Sequence, residues 1–369
     1  MIPYIEILKL NANKSAINPF AVIEPSECWF EISYYETGEF EIYAAATANS
    51  LSALQKGNFV KIPHKSFVWI ITSIQYEYNA DGARMISAKG FEAKYIVSKR
   101  IIRDPLELPA ALENALEMLF AANLGANAII QRRIKSFVWA WNGLQGKTTE
   151  AQATRGNLLE FTQNLLKLHK VGTTSELQNG KILFFTVNGT DRSDKVLFSQ
   201  SLDNLISATY FTSDEDLKTN AQIVSTFSDQ ETVGGVKRTI NHDYVAYYPA
   251  ETAGKSDIDR AEMLVESNLS TKITNESGQE VEISPDSALY VSMQQAEGAS
   301  ALAEKHTIVE FNGEIDLTNC QYVFGEDFNL GDLVKIRDEY FGFEAKARIL
   351  KYTIKQDADG YGEEAEFGE

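Results

Sequence analysis

The stretch Gly146-Lys147-Thr148 has the residue types of a phosphate-binding loop, in which backbone N–H groups and a lysine cradle phosphate oxygens. That chemistry needs another glycine five residues before Gly146, and Trp141 stands there. Gly234-Gly235 has no dinucleotide spacing around it and reads as a flexible turn. The four histidines, His64, His169, His242 and His306, are isolated from one another and from Cys28 and Cys320, so no local pattern proposes a zinc ligand set or a nucleophile beside a base. The two cysteines read as reduced, mostly buried thiols. Acidic groups such as Asp214-Glu215-Asp216 and Glu363-Glu364 read as solvated loops in a chain carrying 52 carboxylates. Arg192 reads as a structural ion-pair partner that anchors the segment after Asn188-Gly189. Trp139 and Trp141, and Tyr244, Tyr247 and Tyr248, are able to stack on sugars, but core packing is the commoner use of such residues. No catalytic, cofactor-binding or metal-ligating residue is therefore assigned, and no cofactor is expected.

The elements that would have to position any site are mostly strands. Phe and Tyr are plentiful (20 and 16), Pro is scarce (8), and hydrophobic residues make up 44% of the chain, which suits ordered, strand-rich structure. No stretch approaches the roughly 18 apolar residues of a membrane span, and the N-terminus lacks a charged region followed by an apolar one. A soluble protein made in a cytoplasm is expected. The formal charge of −18 argues against stable nucleic-acid binding, which needs clustered Lys and Arg.

Residues 1–103 read as β. Trp29 to Tyr35 alternates in part, Gly38 to Tyr43 follows a Thr-Gly turn, and Val68–Tyr78 and Met85–Phe91 flank the hairpin signal Ala80-Asp81-Gly82. The period then changes. Leu112, Leu116, Leu119 and Phe120 predict one helix ending at Gly125, and Leu158, Phe161, Leu165 and Leu168 predict another over 156–170. Lys181–Val187, a turn at Asn188-Gly189, and Lys195–Ser199 predict a hairpin. Asn220–Phe227, Lys237–Ile240 and Tyr244–Tyr248 predict strands, and helices are expected over Asp257–Asn268 and Pro285–Lys305, the latter capped by Ser284. From His306 the β pattern resumes. The expected fold is α+β, a β-rich multidomain protein with two related small β-barrel-like domains at the chain ends flanking a mixed α/β centre. Its parts are 1–103, 104–220, 221–305 and 306–369.

The ends are related because one pattern occurs twice. Gly57-Asn58-Phe59-Val60-Lys61-Ile62 leads to Ile71 and on to Asn79-Ala80-Asp81-Gly82; Gly331-Asp332-Leu333-Val334-Lys335-Ile336 leads to Ile349 and on to Asp357-Ala358-Asp359-Gly360. The offset is 274 at the first block (57 to 331) and 278 at the turn (82 to 360). One large offset signals duplicated domains and not a solenoid. A trimer of such a chain would present six quasi-equivalent β modules, and cyclic symmetry closes such a ring without bare strand edges.

The stretch Gly180-Lys181-Ile182-Leu183-Phe184-Phe185-Thr186-Val187-Asn188-Gly189-Thr190-Asp191-Arg192-Ser193, with Val196-Leu197-Phe198-Ser199 and Asp203-Asn204-Leu205-Ile206-Ser207, resembles the central region of phage tail hub proteins. So does the ending from Val323-Phe324-Gly325-Glu326-Asp327-Phe328 to Leu333-Val334 with its closing hairpin. This family is the siphophage hub, or N-terminal module of the tail-associated lysin, similar to the central baseplate hub of contractile tails. The resemblance implies a homotrimer whose first and last domains form a pseudo-six-fold ring at the virion tail tip, made in the bacterial host cytoplasm. It also implies a distal tail ring protein, the tail tube, the tape-measure protein and a fibre or spike as partners. The larger members continue into lytic or receptor-binding extensions, whereas this sequence stops at Glu369, so a non-enzymatic hub with an acidic lumen is expected. The rivals are a tail-tip cell-wall hydrolase and a receptor- or carbohydrate-binding tip protein.

Overall fold

In a computed structural model, the protein is described except at residues 1, 80, 145–151, 206, 234–235, 275–278, 316–319, 341, 359 and 369, with backbone alone at 207, 208, 231, 233, 236 and 309–315. Gly146-Lys147-Thr148, Gly234-Gly235 and one residue of each Ala-Asp-Gly turn thus lie outside the described residues.

The first hundred residues form β1 (Ile5–Leu10), β2 (Ile17–Ile23), β3 (Glu27–Ser33), β4 (Glu39–Ala45), the short α1 (Ala48–Ala53), β5 (Phe59–Lys61), β6 (Trp69–Tyr78) and β7 (Arg84–Glu92). Alternation dictates their facing: Cys28, Phe30 and Ile32 of β3 and Phe40, Ile42 and Ala44 of β4 are buried, with less buried residues between. Thr47 caps α1 in a reciprocal box with Ser50.

The centre follows the predicted change of period. α2 (Leu112–Asn123) buries Leu112, Leu116, Leu119 and Phe120. α3 (Leu158–Lys167) starts at Asn157, whose side chain accepts from the Leu159 and Glu160 amides at 2.9 and 3.3 Å. Both pack on a small sheet of β8 (Phe137–Ala140), β9 (Gly172–Gln178) and β10 (Lys181–Val187). β9 and β10 are joined at Asn179-Gly180, both at positive φ (50° and 73°), the primed-turn signature. The hairpin expected at Asn188-Gly189 is therefore one turn too late. After β10 the chain leaves the small sheet, the Thr190 amide donates to Asp332 Oδ1 at 2.6 Å, and β11 (Leu197–Ser199) pairs in parallel elsewhere.

β12 (Ser207–Ser213) precedes a long hairpin of β13 (Asn220–Val233) and β14 (Val236–Tyr248), to which β15 (Glu262–Glu266) adds in parallel. β15 overturns the helix expected over Asp257–Asn268: Glu-Met-Leu-Val-Glu alternates with period two, and pairing with β13 supplies the backbone partners. α4 (Ala288–Ala303) covers β13 and β14, with Ser287 and not Ser284 as its cap, accepting from the Tyr290 amide. The Ser284 carbonyl instead receives the Ser287 amide and hydroxyl in the turn before the helix.

The chain ends in β16 (Ile308–Ile315), β17 (Leu333–Asp338), β18 (Phe343–Asp357) and β19 (Gly360–Gly368). Here the expected architecture needs correction. The terminal segments make no closed barrel; they share one 13-stranded sheet, ordered β12-β16-β19-β18-β3-β4-β7-β6-β5-β1-β2, with β17 and β11 branching from β18. The join is β3 against β18, antiparallel from Ser33 opposite Lys351 to Cys28 opposite Gln356. One apolar core spans it, from Phe30, Phe40 and Trp69 to Phe198, Val334, Ile336 and Phe367. A second core holds α2 and α3, and a third, smaller one lies under α4. Among the described residues no helix is long and apolar enough to cross a membrane.

Candidate functional site

The repeated sequence pattern is a repeated backbone. At Gly57 the φ angle is +88°, its amide donates to the Ile71 carbonyl (2.8 Å), the Ile71 amide donates back to Asn58 (2.9 Å), and the Asn58 amide to Gln55 (3.0 Å). At Gly331 φ is +86°, its amide donates to Ile349 (2.8 Å), Ile349 to Asp332 (3.0 Å), and Asp332 to Asn329 (3.1 Å). A left-handed turn of this kind favours glycine, and the identical bonding fixes how each strand enters the sheet. The register shifts at the same place in both copies, between Ile71 and Ser73 and between Ile349 and Lys351. Such bulges bend and twist a strand.

The copies extend beyond the legible pattern. With the bulges superposed, Gly90 corresponds to Phe367; β4 opposes β7 with Phe40 facing Gly90, and β16 opposes β19 with Phe311 facing Phe367. One strand further out, Phe30 of β3 faces Phe40, and Tyr210 of β12 faces Phe311. Each copy is thus a five-stranded unit, β3-β4-β7-β6-β5 and β12-β16-β19-β18-β17, with matching neighbours throughout. The second unit is split by residues 214–307, which is why β12 carries no visible echo in the sequence.

Two buried side chains lock the units to the centre. Tyr34, fully buried, lies with its hydroxyl 3.0 Å from the Lys170 carbonyl and 2.9 Å from that of Val187, and its ring covers Gly172 and Gly331. Burial pushes its phenol up to about 12, opposed by Arg348, whose guanidinium sits 5.6 Å over the ring. Lys94, also fully buried, pairs with Glu92 at 3.1 Å and donates to the carbonyls of Ser33 (2.6 Å) and Thr173 (2.8 Å). Burial pulls the Lys94 ammonium down, and the Glu92 carboxylate opposes that shift. Neither residue stands out in the sequence: both look like ordinary members of a strand and of a charged strand end.

The residues weighed for chemistry stand apart. Arg192 pairs with Asp332 at 3.5 Å, and its amide donates to Leu333, so it ties the centre to β17 as an ion-pair anchor. Trp139 and Trp141 pack against Phe120 and share Glu117 Oε2 as acceptor, at 2.6 and 3.2 Å. Tyr244 lies edge-on to Phe227. Asp214, Glu215 and Asp216 form an exposed loop, whereas Glu363 is buried, its carboxyl raised by burial, and accepts from the Tyr361 hydroxyl at 2.6 Å. Cys28 is buried and its thiol is pushed up to about 12, while half-buried Cys320 donates to the Tyr322 carbonyl. Among the described residues no three His, Cys, Asp or Glu side chains are grouped to hold a metal. A cavity of about 300 Å³ opens between α3 and α4, and its two carboxylates, Glu297 and Glu304, stand a whole number of turns apart on one helix.

The feature that these residues build is a sheet assembled from two like units, and that fold places the chain among phage tail proteins in architecture. It is similar to the tail protein from Neisseria meningitidis MC58 (TM-score 0.55, 12% identity, covering 99% of this chain and 96% of that one). It is similar to the same degree to the 43 kDa tail protein of prophage MuSo2 from Shewanella oneidensis (TM-score 0.55, 13% identity, 99% and 98%). Over residues 24–369 the sequence matches the family described as Siphovirus ReqiPepy6 Gp37-like protein, and the chain belongs to that siphovirus tail-protein family. No curated protein matches the chain.

Proposed function

We propose that the chain is the structural hub of a phage or prophage tail tip, a homotrimer whose six β units form a pseudo-six-fold ring between the tail tube and the distal tip. The observation that carries this reading is the in-register duplication: one chain holds two units with the same strand order, glycine turn and bulge. Two like units per chain let three chains present six similar surfaces to a six-fold object, which a single unit per chain cannot do with three copies. The tail-protein family and the shared fold support placement in a virion tail.

In this reading the hub acts by geometry and without catalysis. Its partners are a distal tail ring protein, the tail tube, the end of the tape-measure protein and a fibre or spike. Residues 1–103 and 306–369, joined by β11 and β12 from the end of 104–220, are the ring parts, and the rest of 104–220 together with 221–305 projects from them. The formal charge of −18 supports a carboxylate-lined lumen that repels passing DNA. The test is mass in solution at increasing concentration. A particle of three times the 41.2 kDa chain mass is expected, and a stable dimer or tetramer overturns the three-fold ring.

A further inference from the structure

The join inside the chain is made by the first strand of unit one and the outer half of the fourth strand of unit two: β3 residues Cys28–Ser33 against β18 residues Lys351–Gln356. Its duplicate counterparts are the first strand of unit two and the outer half of the fourth strand of unit one. The register correspondences that relate the units carry Cys28–Ser33 onto Ala208–Ser213 and Lys351–Gln356 onto Ser73–Tyr78. Among the described residues, neither of these two edges has a strand beside it: β12 ends the sheet, and β5 pairs with β6 only at Trp69 and Ile70.

The side chains tell the same story. At the internal join Phe30 faces Ile354, and they are 1% and 3% exposed. Their counterparts are Tyr210 and Tyr76, which are 44% and 60% exposed. An apolar pair buried at one join and bare at its duplicate marks a surface missing its partner.

We propose that β12 of one copy pairs antiparallel with the outer half of β6 of the next copy, repeating the internal join between chains. The register is that of the template: Ser73 opposite Ser213, Ile74 opposite Thr212, Gln75 opposite Phe211, Tyr76 opposite Tyr210, Glu77 opposite Thr209 and Tyr78 opposite Ala208. No like charges fall opposite one another, and a one-residue slip would turn Tyr210 away from Tyr76. The contact is head-to-tail, so it closes only as a ring. The occupant is a second copy of this chain because the edge it must match is present in the chain itself. The proposal rests on the ring reading but fixes its contact, which that reading leaves open.

The experiment uses the full chain with two paired-cysteine variants, Gln75→Cys/Phe211→Cys and Ile74→Cys/Thr212→Cys. Close, non-hydrogen-bonded pairs alternate along an antiparallel ladder, so one of the two falls within disulfide reach. Mild oxidation is expected to give covalent dimers and trimers from one pair, about tenfold above the two-residues-off pair Gln75→Cys/Thr209→Cys and above the wild type. Tyr76→Asp changes a residue 60% exposed in the single chain and is expected to keep the same thermal melting of the protomer while weakening self-association about tenfold or more. A trimer by mass in which neither pair cross-links overturns this pairing and leaves the ring reading intact. Cross-linking within a particle of another copy number supports the pairing and overturns the three-fold reading. A chain that stays monomeric at high concentration overturns both.

Discussion

The most informative single residue is Lys94, a cation with no exposed surface, held by Glu92 and by carbonyls from β3 and β9. Taking two charges out of water is costly, and the pair is tolerated because each charge has the other and the ammonium spends its donors on backbone oxygens. Removing one partner is far worse than removing both, since the survivor is left buried and alone. Lys94→Met is therefore expected to destabilise by about 3–5 kcal/mol, and Glu92→Leu/Lys94→Met to recover most of that loss. Urea unfolding of the three proteins checks it, and equal midpoints for the single and double variants would refute the argument. In the sequence this pair is invisible. Glu92 and Lys94 sit two apart after a strand, the ordinary signature of a solvated strand end, and only the fold of β9 over them removes the water.

Glycine turns are where the elements were most legible. A left-handed turn and a bulge are local features written by a few adjacent residues, so both copies show in the sequence as Gly-Asn/Asp followed by Val-Lys-Ile. The same locality makes their roles separable. A Cβ on Gly57 meets nothing within 4 Å, whereas one on Gly331 lies 2.2 Å from the Tyr34 ring. Gly57→Ala is expected to cost about 1–2 kcal/mol for its backbone conformation alone. Gly331→Ala adds an overpacking penalty of about 1–3 kcal/mol or more, so it should melt well below Gly57→Ala; matching melting temperatures would sink the assignment of Tyr34 as the packed neighbour. What the sequence hid at this scale was long-range pairing. β12 finds β16 only across residues 214–307, and β15 takes its strand form from β13 alongside, a partner far off in the chain. The Asn188-Gly189 hairpin failed for a similar reason: an equally good turn, Asn179-Gly180, lay nine residues earlier.

At the scale of the whole molecule, periodicity indicated β ends and a mixed centre, but it could not show that the ends merge. Strand pairing between β3 and β18 joins residues more than 300 positions apart, and no local pattern carries that information. The consequence is thermodynamic. Phe30, Phe40 and Trp69 share one core with Val334, Ile336 and Phe367, so residues 1–103 alone would expose half of that core and the bare edge of β3. That fragment is expected to lack a cooperative thermal transition, while the full chain has one. A sharp melt of the isolated fragment, followed by circular dichroism, would show that the terminal part is self-sufficient.

The excursion of residues 214–307 leaves β12 at Ser213 and re-enters β16 at Ile308, and these two residues face each other across the ladder. Exit and return thus share a single doorway at the rim of the sheet, one strand spacing wide. The segment that hangs there leans on the centre where α4 meets α3, yet its length can change while the girdle of strands beneath keeps its circumference.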